Sequence, residues 1–208
     1  MELSATIILI AINVAASIYA WRKPGILEKW TFNPFLVFHR RQYFRFITSG
    51  FIHSDYMHLF FNMFTFFFFG QSIEWVFLNL FGQMGIAVFV VFYLLAIVVS
   101  DVPSLIKHRN QSGYNSLGAS GGVSAIVFSW ILFFPTEFIY IMGVIPLPGF
   151  ILGVLFVIYS YYQGKREGSL INHDAHLFGA LFGVLFTIAI IPDVVASFIS
   201  QVSSFSIF

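Results

Sequence analysis

Long apolar runs separated by short polar stretches dominate the chain. A membrane helix needs about 20 apolar residues to cross the roughly 30 Å hydrocarbon core of a bilayer, and its backbone must be hydrogen-bonded internally. The runs therefore predict six spanning helices, packed as an all-α bundle in one membrane domain over residues 1–208. They cover about 5–21, 56–78, 83–100, 117–134, 149–163 and 173–192.

The polar stretches between the runs differ in kind. Residues 22–52 mix aromatic side chains with several arginines, Arg45 among them, a composition typical of a long loop at the membrane interface. Residues 101–116 are polar and rich in turn formers, which predicts a loop. The tail 193–208 repeats apolar positions at helical spacing and predicts a helix on the membrane surface.

The composition supports a membrane protein and excludes several other classes. Hydrophobic residues make up 59% of the chain and charged residues only 9%, against about 25% in soluble domains. That balance excludes a disordered chain and an ordinary soluble domain. A net charge of +1 argues against a nucleic-acid partner. The chain has no cysteine, so disulfides, cysteine-ligated zinc and a cysteine nucleophile are excluded, and we predict no cofactor.

Few polar residues fall inside the predicted spans, and each is a functional candidate because placing it in a membrane is costly. His58 and Asn62 lie in the second span, Ser120 in the fourth and His176 in the sixth. Even-numbered helices of such a bundle run the same way, so these residues all fall within roughly 10 Å of one membrane face. A hydroxyl with an imidazole base and amide donors is the set that acyl transfer needs.

Helix packing explains part of the same pattern. Gly118 and Gly122, like Gly179 and Gly183, have the spacing of small residues that bring membrane helices together without any chemistry. A lone serine beside such glycines usually serves packing.

A metal site is the other alternative for the histidines. His173 and His176 are three residues apart, a spacing compatible with metal binding. No HExxH motif occurs, however, and Asp174 lies two residues before His176, so on a helix its side chain points elsewhere. We therefore predict no metal site, and we do not expect Asp174 to orient the imidazole.

Three short motifs lie on the second, fourth and sixth spans. They are His58-xxx-Asn62, Gly118-Ala119-Ser120-Gly121, and Ala175-His176 followed by Gly179 and Gly183. They resemble the HxxxN, GxSG and AHxxGxxxG motifs of the rhomboid intramembrane serine proteases, in the same order along the chain. The stretch 44–53 resembles the family's loop that leads into the second span. The resemblance covers about residues 43–191.

The resemblance implies a six-span rhomboid bundle that cuts membrane-anchored proteins in or near a transmembrane helix within the lipid bilayer. Ser120 would be the nucleophile and His176 the general base and acid, without a carboxylate. His58, Asn62 and Gly118 would belong to the oxyanion and substrate-binding region, together with the backbone N–H of Ser120. The residues expected to support the site structurally are Arg45, His53, Gly121, Gly179 and Gly183.

Two positions depart from the family's motifs. Phe44 precedes Arg45 where the family usually has tryptophan. Ser124 stands where an aromatic residue often packs against the base, which leaves open what orients His176. The resemblance also implies that the fifth span and the loop 164–172 control access to the site.

The distribution of charge and the family resemblance give opposite answers about the orientation in the membrane. All ten lysines and arginines fall in the loops on the side of Ser120. The positive-inside rule places that side in the cytoplasm. The resemblance implies instead a site open to the outer face of a prokaryotic cytoplasmic membrane. We expect the family's orientation, because basic residues of an interfacial loop can bind lipid headgroups.

Two functions from other classes stay open at this point. One is a non-catalytic binder or chaperone of membrane proteins on the same fold. The other is a transporter or channel, although the chain shows no internal repeat of the kind that many transporters have.

Overall fold

The chain folds into ten helices and one small hairpin in a computed structural model that describes residues 4–141, 144–165 and 172–206. Within those residues the helices, in chain order, are α1 (Ala5–Arg22), α2 (Pro24–Trp30), α3 (Pro34–Arg40), α4 (Arg45–Thr48), α5 (Tyr56–Phe81), α6 (Met84–His108), α7 (Ser120–Phe133), α8 (Gly149–Gly164), α9 (His173–Ile190) and α10 (Val194–Ser203). The other elements are a 3-10 turn (Ser49–Phe51) and two strands, β1 (Phe138–Ile141) and β2 (Ile145–Pro148).

Four of the described helices, α1, α5, α6 and α9, are long and apolar enough to cross a membrane. The apolar helices α7 and α8 are shorter, with 14 and 16 residues, or about 21 and 24 Å of helix. These six helices form the all-α membrane bundle that the sequence predicts, and the prediction is confirmed. The chain is a multi-pass integral membrane protein.

Helix α7 lies in the middle of the bundle and packs against α5, α6, α8 and α9. The core between α5, α6 and α7 is built largely from aromatic rings. Phe66 and Tyr93 are fully buried and stack with their centroids 4.7 Å apart, and Phe92 stacks on Phe186 of α9 at the same distance. The Tyr93 ring also contacts the start of α7, because a Cβ atom on Gly122 would lie 2.9 Å from it.

Small residues bring α7 and α9 into direct backbone contact. A Cβ atom on Gly179 would overlap the carbonyl oxygen of Gly121, and one on Gly183 would overlap the carbonyl oxygen of Ala125. Both contacts advance by four residues on both helices, so α7 and α9 run parallel with one register. We name this contact the glycine seam. It places the first turns of the two helices side by side.

The predicted loop 101–116 is wrong over its first half, because α6 continues to His108. Pro103 lies inside the helix and does not end it. The last turns of α6 are held against the start of α9. Ser104 is hydrogen-bonded to Asn172, with Nδ2 of Asn172 2.9 Å from the hydroxyl. Lys107 forms an ion pair with Asp174 at 3.0 Å.

The start of the fourth span also differs from its predicted position. The fourth span starts at Ser120 and not at about 117, because Gly118 has a φ of 121°, which no helix accommodates. The connection around Pro146 and Pro148 is a two-stranded hairpin, paired from Phe138 opposite Pro148 to Ile141 opposite Ile145. Proline is tolerated there because each strand of an isolated hairpin has one unpaired edge.

The first loop, predicted as a long loop at the membrane interface, contains the three short helices α2, α3 and α4. The buried Arg45 side chain ties them together. Its Nη1 donates to the carbonyl oxygens of Glu28 at 2.9 Å and Thr31 at 2.6 Å, and its Nε donates to Oε1 of Gln42 at 2.7 Å. Burial lowers the pKa of Arg45. One arginine thus fastens three parts of the loop.

Candidate active site

Residues 116–119 lead into Ser120, and we name them the serine segment. The first loop holds this segment through backbone hydrogen bonds. Phe32 and Ser116 exchange both of their N–H to carbonyl bonds, at 2.9 and 3.0 Å. The N–H of Gly118 donates to the carbonyl of Ser49 at 2.9 Å. Ser120 is the first residue of α7, where N–H groups lack intrahelical partners. A helix N-terminus with free donors therefore presents the hydroxyl.

His53 fixes the residue directly before Ser120. It is completely buried, and its Nε2 accepts the N–H of Ala119 at 3.3 Å. Burial lowers the pKa of His53 to about 3, so the ring is neutral. Its Nδ1 therefore carries the proton and donates to the Ser17 hydroxyl at 3.0 Å, which in turn donates to the carbonyl of Phe51 at 3.3 Å. The imidazole connects α1 to the serine segment.

His58 lies against the other side of this segment. A Cβ atom on Gly118 would come within 2.6 Å of Cε1 and 2.8 Å of Nε2 of His58. The amide nitrogen of Asn62 donates to the carbonyl of His58 at 2.9 Å, which keeps both residues on one side of α5. Only glycine at position 118 leaves room for the imidazole two residues before the nucleophile candidate.

The glycine seam brings His176 to the level of Ser120. Gly121 contacts Gly179, and His176 lies three residues before Gly179, on the preceding turn of the parallel helix. A Cβ atom on Gly121 would also lie 3.5 Å from the carbonyl of Ala175. Among the residues that the structure describes, no hydrogen bond joins Ser120 to His176. Catalytic hydrogen bonds are often long before substrate binds.

A family model described as the Rhomboid domain matches residues 40–193. The chain belongs to the rhomboid family. A relative, the RHOMBOID-like protein 12, mitochondrial, of Arabidopsis thaliana, is 33% identical over 144 residues, which are 64% of this chain and 42% of that protein. This rhomboid thus spans about two fifths of the length of that curated relative. Rhomboids are mostly serine intramembrane proteases, and some members are inactive.

An aromatic ring from α8 packs on the His176 imidazole of this rhomboid. Phe156 stacks on His176 with centroids 6.1 Å apart and planes inclined by 22°. His173 meets the same imidazole edge-on at 5.8 Å. Position 124, where the family often has an aromatic residue, is a serine, and the ring on His176 comes from a different helix, α8. Asp174 is engaged with Lys107 instead.

A small cavity of about 20 Å³ adjoins Ser120 in this rhomboid. Its lining includes Asp101 and Ser116, and the Ser116 hydroxyl has no hydrogen-bond partner among the described residues. Asn172, at the start of α9, lines the cavity too. The volume suits about one water molecule, and the polar lining would satisfy it.

Sequence reasoning missed three contributors to this site. Phe156 carries no polar signal within an apolar helix, so nothing in its sequence context distinguishes it. Ser49 acts through its backbone carbonyl, which sequence does not reveal. Asp55 could have been found, because an aspartate directly before a helical run is a typical N-cap residue, and here Oδ1 accepts the N–H of His58 at 2.8 Å.

Proposed function

We propose that this rhomboid is an intramembrane serine endopeptidase that cleaves membrane-anchored proteins in or near a transmembrane helix. One observation carries the proposal. The glycine seam sets Ser120 at the start of α7 and His176 on the adjacent turn of α9, while His58 lies against Gly118 on the other side of the serine segment.

The proposed reaction follows serine acyl transfer. Ser120 Oγ attacks the carbonyl carbon of the scissile peptide bond, and His176 takes the hydroxyl proton. His176 then gives that proton to the leaving amine as the C–N bond breaks, which leaves an ester on Ser120. Water attacks the ester, His176 takes and returns a second proton, and the acid product and free serine form.

The oxyanion of each tetrahedral intermediate needs hydrogen-bond donors. The backbone N–H of Ser120 is free for this purpose at the helix start. Asn62 uses one amide hydrogen on the carbonyl of His58 and keeps the second. His58 lies close enough to Gly118 to act at the same place.

Substrate access is proposed to involve α8. Only Gly149, Gly153 and Ser160 of its 16 residues are buried, so little packing holds it in place. The loop 164–172, which we expected to act with it, lies outside the described residues from 166 to 171. A substrate helix approaching through the bilayer would enter beside α8.

The decisive experiment combines a serine-directed probe with a cleavage assay. A fluorophosphonate should label the wild type in detergent and should not label Ser120→Ala. Cleavage of a model transmembrane substrate should be abolished by Ser120→Ala and His176→Ala. Ser124→Ala, one turn further along α7, is the matched control and should keep labelling and cleavage.

Near-normal cleavage by either variant would contradict the proposal. An unlabelled wild type that still captures membrane proteins, with Ser120→Ala capturing them equally well, would establish the non-catalytic binder instead. Both variants should be checked for folding by thermal unfolding in detergent.

Membrane orientation is open to a direct test, because the chain has no native cysteine. We propose that the Ser120 side faces outward from the cytoplasmic membrane of a prokaryote. Gly113→Cys, between α6 and α7, should then react with a membrane-impermeant maleimide on intact cells, and Val144→Cys, at the hairpin between α7 and α8, should not. The reverse result would support the positive-inside assignment.

A further inference from the structure

Asp55 and Ser54 form a hydrogen-bonded chain that ends at the His58 ring. Oδ1 of Asp55 accepts the backbone N–H of His58 at 2.8 Å, which caps α5. Oδ2 of Asp55 lies 2.7 Å from the Ser54 hydroxyl, and that hydroxyl lies 3.1 Å from Nδ1 of His58. A single carboxylate therefore sets both the start of the helix and the direction of the serine hydroxyl.

The hydrogen bonds from Asp55 through Ser54 determine which ring nitrogen of His58 carries a proton. Bonds from the His58 backbone and the Ser54 hydroxyl hold the pKa of Asp55 below its usual range, so the carboxylate is charged and can only accept. The single proton of the Ser54 hydroxyl points to Asp55. The Ser54 oxygen must then accept from His58, and Nδ1 of His58 carries a hydrogen.

This assignment has a consequence for Nε2, the His58 nitrogen beside Gly118. In a neutral imidazole with hydrogen on Nδ1, Nε2 is a lone pair and would repel an oxyanion. Nε2 becomes a donor when the ring takes up a second proton from water and becomes an imidazolium. Burial of the ring disfavours that cation, and the negative charge of Asp55 opposes the effect of burial and favours it.

We propose that Ser54 and Asp55 are positioning residues that make His58 act on the oxyanion as an imidazolium. The proposal rests on the proposed protease function for its kinetic consequences. The proton comes from water before attack and stays on His58 throughout, so no bond of the substrate is made or broken by it. Activity then needs His58 charged and His176 neutral at once.

The groups that face His58 within the described chain are few. Asp55 is the charged group at the start of its own helix. From the preceding loop, the His53 ring lies edge-on at 5.0 Å and is neutral. From α9, His176 is near enough to act on the charge of His58, and it must be neutral to serve as base. The cation of His58 thus has Asp55 as its counter-charge.

The test is Asp55→Asn, since asparagine caps a helix as well as aspartate does. Its amide would donate to the Ser54 oxygen, which would turn the Ser54 hydroxyl toward Nδ1 and leave the hydrogen of neutral His58 on Nε2. The wild-type kcat should fall on the alkaline side of its pH profile as the imidazolium is lost. In Asp55→Asn the maximum kcat should drop about fivefold, because a neutral donor is weaker, while the alkaline fall disappears and KM stays unchanged.

Two comparisons complete the experiment. Ser54→Ala removes the acceptor for Nδ1 and should abolish the alkaline fall in the same way. Asp193→Asn, before α10 on the opposite face, removes an equal charge and should leave the profile as in the wild type. Profiles of the same shape for the wild type, Asp55→Asn and Ser54→Ala, differing only in height, would overturn the proposal.

A readout without substrate separates this proposal from the protease function. The ¹⁵N shifts of His58 at alkaline pH should show hydrogen on Nδ1 in the wild type and on Nε2 in Asp55→Asn. Hydrogen on Nε2 in the wild type would refute the proposed hydrogen bonds from Asp55 to His58, even if the protein is an active protease. Hydrogen on Nδ1 in a chain without activity would support it while the proposed function fails.

Discussion

Helix α9 meets its two neighbours α7 and α8 in opposite ways. Against α7, the glycine seam leaves no space for a single Cβ atom at Gly179 or Gly183. Against α8, side chains lie between the helices, and only three of the 16 residues of α8 are buried, compared with nine of the 14 residues of α7. The candidate catalytic pair is held by the tight contact, while the loose contact borders it.

The difference separates two requirements that a protease in a membrane has to meet. The distance between nucleophile and base has to be kept within tenths of an ångström, which direct backbone contact secures. A substrate helix has to enter, which needs an element that moves at little cost. Phe156 lies on the loosely packed α8 and stacks on His176 of α9. This ring therefore joins the loosely packed helix to the tightly packed pair α7 and α9.

At neutral pH the largest loss of stability should come from adding a methyl group at the glycine seam. Gly183→Ala places a methyl group on the carbonyl of Ala125 and should lower the free energy of unfolding by about 1–3 kcal/mol. Gly153→Ala, on α8, is the matched change. Its Cβ would lie 3.4 Å from a side-chain methyl of Ile131, and alanine favours the helix by roughly 1 kcal/mol, so it should be neutral or stabilising. Thermal unfolding in detergent compares them, and equal losses would contradict the contrast.

The next effect concerns the attachment of the serine segment to His53. Because the folded pKa of His53 is about 3, well below the unfolded value near 6.5, the unfolded chain binds the extra proton between these pH values. Stability should therefore be unaffected by this group above pH 6.5 and should fall as pH decreases toward 3, by at most about 1.4 kcal/mol per pH unit.

The control for this dependence is a pair of variants. His53→Asn should be less stable than the wild type at pH 7 but should lose less stability on acidification. His39→Gln, at an exposed position of α3, should follow the wild-type curve. Denaturation curves for His53→Asn that run parallel to the wild type across this range would show that His53 does not carry the effect.

A change at the ring that joins the two regions should affect catalysis more than stability. Phe156→Ala should lower kcat about three- to tenfold, since an aromatic pair contributes roughly 0.5–1.5 kcal/mol. Without Phe156, the His176 ring should spend less time in the reactive orientation. Phe156→Tyr should retain most activity. Phe150→Ala on the same helix, away from His176, should leave kcat near the wild type. A change in KM alone would point to substrate entry instead.

The smallest effect should come from the ion pair between Lys107 of α6 and Asp174 in the first turn of α9. Lys107 is half exposed, and an exposed pair of this kind contributes between about 0 and 1 kcal/mol. Lys107→Gln should therefore change the free energy of unfolding by less than about 0.5 kcal/mol and leave cleavage unaffected. A large loss of activity would show that Asp174, once released from Lys107, reaches His176.

Much of the bundle was predictable from sequence because its signals are local or repeat along one helix. Apolar runs marked the six helices, and the spacing of Gly179 and Gly183 marked a close contact. The continuation of α6 past Pro103 was not predictable, because partners on α9, distant in sequence, hold its last turns. The Phe156 contact was not predictable either, since it depends on how α8 lies against α9.

The attachment of the first loop to the serine segment has a consequence for how related chains should be compared. The bonds between Phe32 and Ser116, and between Gly118 and Ser49, run from main chain to main chain. Ser49 and Ser116 can therefore be substituted during evolution while these backbone hydrogen bonds are kept. An alignment in which these two positions differ would then hide a contact that the structures share, and the region beside Ser120 would change in sequence much faster than in shape.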